Sequence, residues 1–251
     1  MKKRAIKYIS IVFVVLVLIV VANICIRNQK IKSVRYTMHY PTEDHILNQS
    51  VVSDSLKAHF GSFLSQSRKD IELDSVRHYL ETIPYVSRAD LAISMRGVLS
   101  MHIYETLPIV HVFSANSTYY LDSLASPLPA INSLPSHTLI ATGDLPSLSK
   151  ISSSKSQKLI KSLVTLSSLI LNDSILKYQI SQIHYSNKKF VLIPQIGDYT
   201  ILIGPSSQWA EQLNRLHHLY TSAFFRDGWN NYSQISLLYS NQAVCTRKTN
   251  Q

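Results

Sequence analysis

The chain has 251 residues, 45% of them hydrophobic and 16% charged, a balance that supports a folded core and excludes a disordered chain. Its 25 Lys and Arg against 15 Asp and Glu give a formal net charge of +10. Eight of those basic residues (Lys2, Lys3, Arg4, Lys7, Arg27, Lys30, Lys32 and Arg35) flank one apolar stretch, and no run elsewhere is dense enough to form a nucleic-acid footprint.

That stretch, residues 8–26 (YISIVFVVLVLIVVANICI), carries no charge. A helix of that length, at ~1.5 Å per residue, is long enough for a ~30 Å hydrocarbon core. It exceeds the roughly 7–15 residues of a signal-peptide core, and its end, Val21-Ala22-Asn23-Ile24-Cys25, lacks an A-x-A cleavage pattern. The sequence therefore predicts a retained single transmembrane helix over 8–26. The flanking charges nearly balance, so orientation rests on size: the tail 1–7 in the cytoplasm and the body outside, a single-pass type II arrangement in the inner membrane. Only two cysteines occur, Cys25 in this stretch and Cys245 near the end. They cannot pair within one molecule, and an exported body without an internal disulfide points to a bacterium.

Along the body, residues 34–40 read as a strand closed by Pro41. Residues 51–60 and 73–82 read as helices. Asp70, Glu72 and Asp74 sit where negative charge favours a helix start, and we read them as that rather than as a carboxylate site. Ile83-Pro84 ends the second helix, because the residue before proline disfavours the helical region. Ala89, Leu91, Ile93 and Met95 then alternate with polar or small residues, as do Leu99, Met101 and Ile103 after Arg96-Gly97. Two period-2 runs across a glycine turn make a β-hairpin with one buried face. The order is strand, helix, helix, strand, strand.

Further strands are expected at 109–113, 118–121 and 138–141, with a Pro/Ser-rich loop over 123–136. Residues 155–171 form an amphipathic helix with Leu159, Ile160, Leu163, Leu166 and Ile170 on one face. Strands follow at 179–185, 189–194 and 199–203. A second amphipathic helix covers 208–225, with Trp209, Leu213, Leu216, Tyr220 and Phe224 on one face. A final strand is expected at 234–239. The fold class is α+β.

Catalytic patterns are absent: no phosphate-binding glycine loop, zinc-protease helix or nucleophile elbow occurs, and there are six glycines in all. His217 and His218 are adjacent, so on a helix they point about 100° apart and do not chelate one ion together. Glu105 ends a strand, where a hydrogen-bonding role outweighs a functional one. We expect no enzyme activity, no cofactor, no metal, no nucleic acid and no small-molecule substrate.

Four phrases in order carry a resemblance. Pro84-Tyr85-Val86-Ser87-Arg88-Ala89-Asp90-Leu91 resembles a "P-aromatic-V-x-x-A" lead into a strand. Leu99-x-Met101-x-Ile103-x-Glu105-x-x-Pro108-Ile109 resembles an "L-x-I-x-I-x-E-x-x-P" run. Tyr119-Tyr120-Leu121-Asp122 resembles a "Y-Y-L-D" strand, and Gly228-Trp229-Asn230-Asn231-Tyr232-x-x-Ile235-x-Leu237-x-Tyr239 a closing strand. All four are features of the bacterial FtsQ/DivIB cell-division family, in a style similar to its Bacteroidetes branch. One departure is Ser123-Leu124-Ala125-Ser126, where the family often has a glycine after the aspartate.

The resemblance implies a cytoplasmic tail (1–7), the span (8–26), a POTRA domain of order β-α-α-β-β (27–106) and a C-terminal mixed β domain with two amphipathic helices (107–251). It implies a non-catalytic scaffold at the septum that joins FtsB-like and FtsL-like partners in the periplasm, partly by β-strand addition at its last strand. Carried over, that strand comprises Ile235, Ser236, Leu237, Leu238, Tyr239, Ser240, Ala243 and Val244, with Tyr239 as the aromatic anchor. Alternation also lets Ile235 and Leu237 face the protein's own core. Two other readings stay open: a membrane-anchored envelope enzyme with a spatially assembled site, and an envelope-biogenesis factor that shares a POTRA-like module.

Overall fold

The computed structural model describes residues 13–18, 28–41, 45–129, 138–222 and 229–248. The chain divides into two compact units, Met1–Thr106 and Leu107–Gln251.

The α+β class stands, but the expected membrane span does not. Of the stretch 8–26 only residues 13–18 are described, as helix with exposed apolar side chains. No helix among the described residues is long and apolar enough to cross a membrane. The rest of the stretch and the tail 1–7 lie outside the described residues. An apolar run states which solvent its side chains prefer, whereas a span also needs about 20 residues in one continuous helix.

The smaller unit contains β1 (Ser33–His39), α1 (Gln49–Phe60), α2 (Leu73–Thr82), β2 (Val86–Ile93) and β3 (Val98–Glu105), with a 3-10 turn at Arg68–Asp70. Its sheet has the order β1-β3-β2, with β1 parallel and β2 antiparallel to β3. The period-2 pattern explains why. Leu99, Met101 and Ile103 are fully buried on one face of β3, and Ala89, Leu91 and Ile93 on the same face of β2. The helices complete this core with Val52, Leu56, Val76 and Leu80. Each such side chain contributes roughly 1.5–3 kcal/mol on burial. Gly97 permits the hairpin: its φ is +79° and an added Cβ would lie 2.5 Å from the Lys30 carbonyl oxygen.

The larger unit contains β4 (Val110–Ser114), β5 (Ser117–Leu121), β6 (Pro127–Leu128), β7 (Leu139–Gly143), α3 (Ser154–Asn172), α4 (Leu176–Gln179), β8 (Ile180–Ser186), β9 (Lys189–Pro194), β10 (Thr200–Leu202), α5 (Trp209–Ser222), β11 (Tyr232–Ser236) and β12 (Val244–Arg247). One nine-stranded sheet runs β12-β11-β10-β9-β8-β7-β4-β5-β6. α3 buries Ile160, Leu163, Leu166 and Ile170 in the core and α5 buries Trp209, Leu213, Leu216 and Tyr220. Ser153 caps α3 by accepting from the Ser156 N–H. α5 is described to Ser222; the expected continuation to 225, with Phe224, lies outside the described residues.

Two strands were not expected. β6 lies inside the Pro/Ser-rich segment and pairs with β5. Its turn is built by Asp122, whose Oδ1 accepts from the N–H groups of Leu124 (2.9 Å) and Ser126 (2.8 Å). Ala125 stands there with φ 65°, in the left-handed region that glycine adopts without cost. The missing family glycine is thus replaced by a strained alanine held by an aspartate. β12 is the second surprise, and it changes the binding edge.

Candidate partner-binding edge

The expected last strand is two strands. β11 ends at Ser236, the chain reverses over 237–243, and β12 returns antiparallel with Ser236 opposite Val244 and Ile235 opposite Cys245. β11 lies between β10 and β12, so both its edges are used. Among the described residues the edge strand is β12.

Tertiary bonds create the reversal. The Leu237 N–H donates to the Leu202 carbonyl oxygen at 2.9 Å, extending the β10–β11 contact by one residue. Arg215 on α5 then donates from Nη2 to the carbonyl oxygens of Leu237 (3.0 Å) and Tyr239 (3.2 Å), while its Nη1 binds Glu211 at 2.5 Å. Asn241 completes the turn with φ 61°, a conformation asparagine tolerates better than most residues.

The eight residues expected to bind a partner fall into three groups. Ile235, Ser236 and Leu237 are buried, the two hydrophobic ones within the unit's own core. Leu238, Tyr239 and Ser240 are exposed on the reversal, Tyr239 at 54%. Ala243 is half-buried against the core, and Val244 opens the edge strand at 40% exposure. The set is therefore not one continuous strand. The residues not foreseen are Cys245, Thr246 and Arg247 on β12, and Arg215, whose i,i+4 spacing from Glu211 was the only signal.

Backbone alternation assigns the free groups. The Lys248 N–H donates to the Asn231 carbonyl oxygen at 2.9 Å, so the main-chain groups of Lys248, Thr246 and Val244 turn toward β11. Those of Cys245 and Arg247 turn outward. The Cys245 side chain is half-buried, and burial pushes its thiol above the ordinary value, which makes it a packing residue rather than a nucleophile.

Other singled-out groups have structural partners. Glu105 is buried at the end of β3, and its Oε1 accepts from the N–H groups of Ile46 (2.7 Å) and Leu47 (2.6 Å), fixing the segment that leads into α1. Asp74 pairs with Arg77 at 2.7 Å and Glu72 accepts from Ser75. His217 Nδ1 lies 2.9 Å from both carboxylate oxygens of Asp173, and the His218 ring is turned 81° from it. Burial works to raise the Asp173 carboxyl, but the N–H groups of Leu176 and Ile175 and the His217 ring hold it below its ordinary value. Among the described residues no group of three or more His, Cys, Asp or Glu is placed to hold a metal ion. Within the "Y-Y-L-D" phrase, Tyr119 is fully buried and donates to the Pro146 carbonyl oxygen at 2.8 Å; burial pushes its phenol up to about 12.

A sequence profile described as FtsQ/DivIB, C-terminal related, matches residues 107–246. Among solved structures, the chain is similar to the major extracytoplasmic domain of the trans isomer of the bacterial cell division protein DivIB from Geobacillus stearothermophilus. The identity is 15% and the TM-score 0.33, over 49% of this chain and 97% of that one. No curated protein matches the chain. The profile match spans the whole nine-stranded unit except its outermost residues and covers more than half of the 251 residues, so the chain belongs to the FtsQ/DivIB family of cell-division proteins.

Proposed function

We propose that this chain is a non-catalytic scaffold of the septal division machinery, working outside the cytoplasm. It takes a strand of an FtsB-like or FtsL-like partner onto the outer edge of β12. The observation that carries this is the position of β12 at the end of the sheet, with outward main-chain groups at Cys245 and Arg247 and exposed Leu238, Tyr239 and Val244 beside them. An unpaired edge offers alternating N–H and C=O groups to an extended segment, and adjacent apolar side chains give that segment a register. The smaller unit acts as a POTRA domain in this reading. Its β-α-α-β-β order supports the assignment.

The test is co-purification of the full chain from its native cells, with the small single-span coiled-coil division proteins identified in the eluate. Arg247→Pro deletes one outward N–H and no bond to β11, and it should reduce their recovery about tenfold. Tyr239→Glu should reduce it less. Undiminished recovery with a folded Arg247→Pro chain would rule out strand addition at β12.

A further inference from the structure

The larger unit holds a cleft of about 580 Å³ where the β8–β9 hairpin turns and β10 and β11 finish. Its floor is apolar. Phe190 and Trp209 meet edge to face there, with centroids 5.7 Å apart and planes at 75°, and Leu159 lies beside them. Its rim is cationic: Lys155 and Lys158 come from the start of α3, Lys188 and Lys189 from the hairpin. Among the described residues no Asp or Glu lines the cleft, and none of these four lysines belongs to an ion pair.

This arrangement runs against local preference at several points. Lys155 and Lys158 occupy the N-terminal end of α3, which has no acidic residue in its first turn. Negative charge is favoured at that end, and like charges three residues apart repel. Lys188, the second residue of the two-residue turn between β8 and β9, stands directly before Lys189, so two more like charges are held side by side. Local rules broken together at one place are expected where a ligand supplies the missing interaction. The volume lies within the range of ordinary ligand sites and far exceeds a bare phosphate, which would leave the aromatic floor wet. Lysines are mobile point charges that meet anionic oxygens over a range of approach angles, so the apolar floor, not the cations, is what distinguishes an acidic segment carrying an apolar side chain from a small anion.

We infer that this cleft binds an acidic segment of a partner protein, seating one bulky apolar side chain on Phe190 and Trp209 between carboxylates held by the four lysines. The wall includes Leu238, the exposed residue at the start of the β11–β12 reversal. One partner chain could therefore reach both cleft and edge, but the cleft does not require strand addition at β12.

The test uses the full chain and a fluorescein-labelled peptide of two aspartates, one tryptophan and two glutamates between serines, read by anisotropy. Binding should weaken about tenfold in the Lys158→Glu/Lys189→Glu variant, and several-fold when serine replaces the peptide tryptophan. The four lysines are exposed, so the variant's melting temperature should match the wild type. Arg247→Pro should bind the peptide normally, which separates this site from the β12 edge. Equal binding by the double variant, loss of binding in Arg247→Pro, or no binding by the wild type would overturn the proposal. Displacement by millimolar inorganic phosphate, with no dependence on the peptide tryptophan, would also overturn it and assign the cleft to small anions.

Discussion

The two ends of the nine-stranded sheet are finished differently. At one end β6 is two residues long and begins with Pro127, which has no N–H to offer. It is tied down by Asp122, buried among the turn it makes. At the other end β12 has four residues, none of them proline, and the reversal that leads into it is braced by Arg215 on α5. Short, proline-bearing edges resist pairing with other chains, and longer unblocked ones invite it. Among the described residues the same sheet thus closes one end and leaves the other available, and the proposal of β12 as the partner edge rests on that asymmetry.

The comparison can be broken at either end. Asp122→Ala removes the acceptor for two backbone N–H groups and should cost about 2 kcal/mol in chemical denaturation. Partner capture by the folded fraction should not change. If capture falls with it, the β6 end also takes part in binding. Arg215→Met keeps the apolar stem but frees the Leu237 and Tyr239 carbonyls. It should cost about 1.5 kcal/mol and weaken partner capture several-fold, because the reversal ahead of β12 loses its brace.

A subtler support lies behind that brace. Asp173 ties α4 to His217 on α5, two residues from Arg215. Its carboxyl titrates below the ordinary value in the folded protein, so it contributes stability that is fully present above the unfolded value of about 3.9 and is lost as pH falls through the folded one. Asp173→Asn should therefore destabilise by about 1 kcal/mol at neutral pH. The gap to wild type should close below about pH 4, as measured by melting temperature against pH. The smallest effect belongs to the closed end: Ala125→Gly relieves a left-handed alanine and should stabilise by about 0.5 kcal/mol.

What could be read from sequence depended on how many residues repeat a pattern. The hairpin β2–β3 was legible because six side chains alternate into one core, and a one-residue slip would expose them all. Helix α3 was legible for the corresponding reason at period 3.6. β6 was not, since two residues have no period and a proline reads as loop. Nor was the split between β11 and β12. Ile235, Leu237 and Tyr239 alternate as one strand would, but Tyr239 lies past the end of β11 and exposed.

Sequence by itself therefore determined the α+β class, the β-α-α-β-β order of the smaller unit and the family, because each rests on periodicity or phrases local to the chain. Only the tertiary structure decided which strand is the edge and which lysines share a cleft. Those depend on bonds between residues far apart in sequence, such as Arg215 with Tyr239 and α3 with the β8–β9 hairpin, and no local pattern records them.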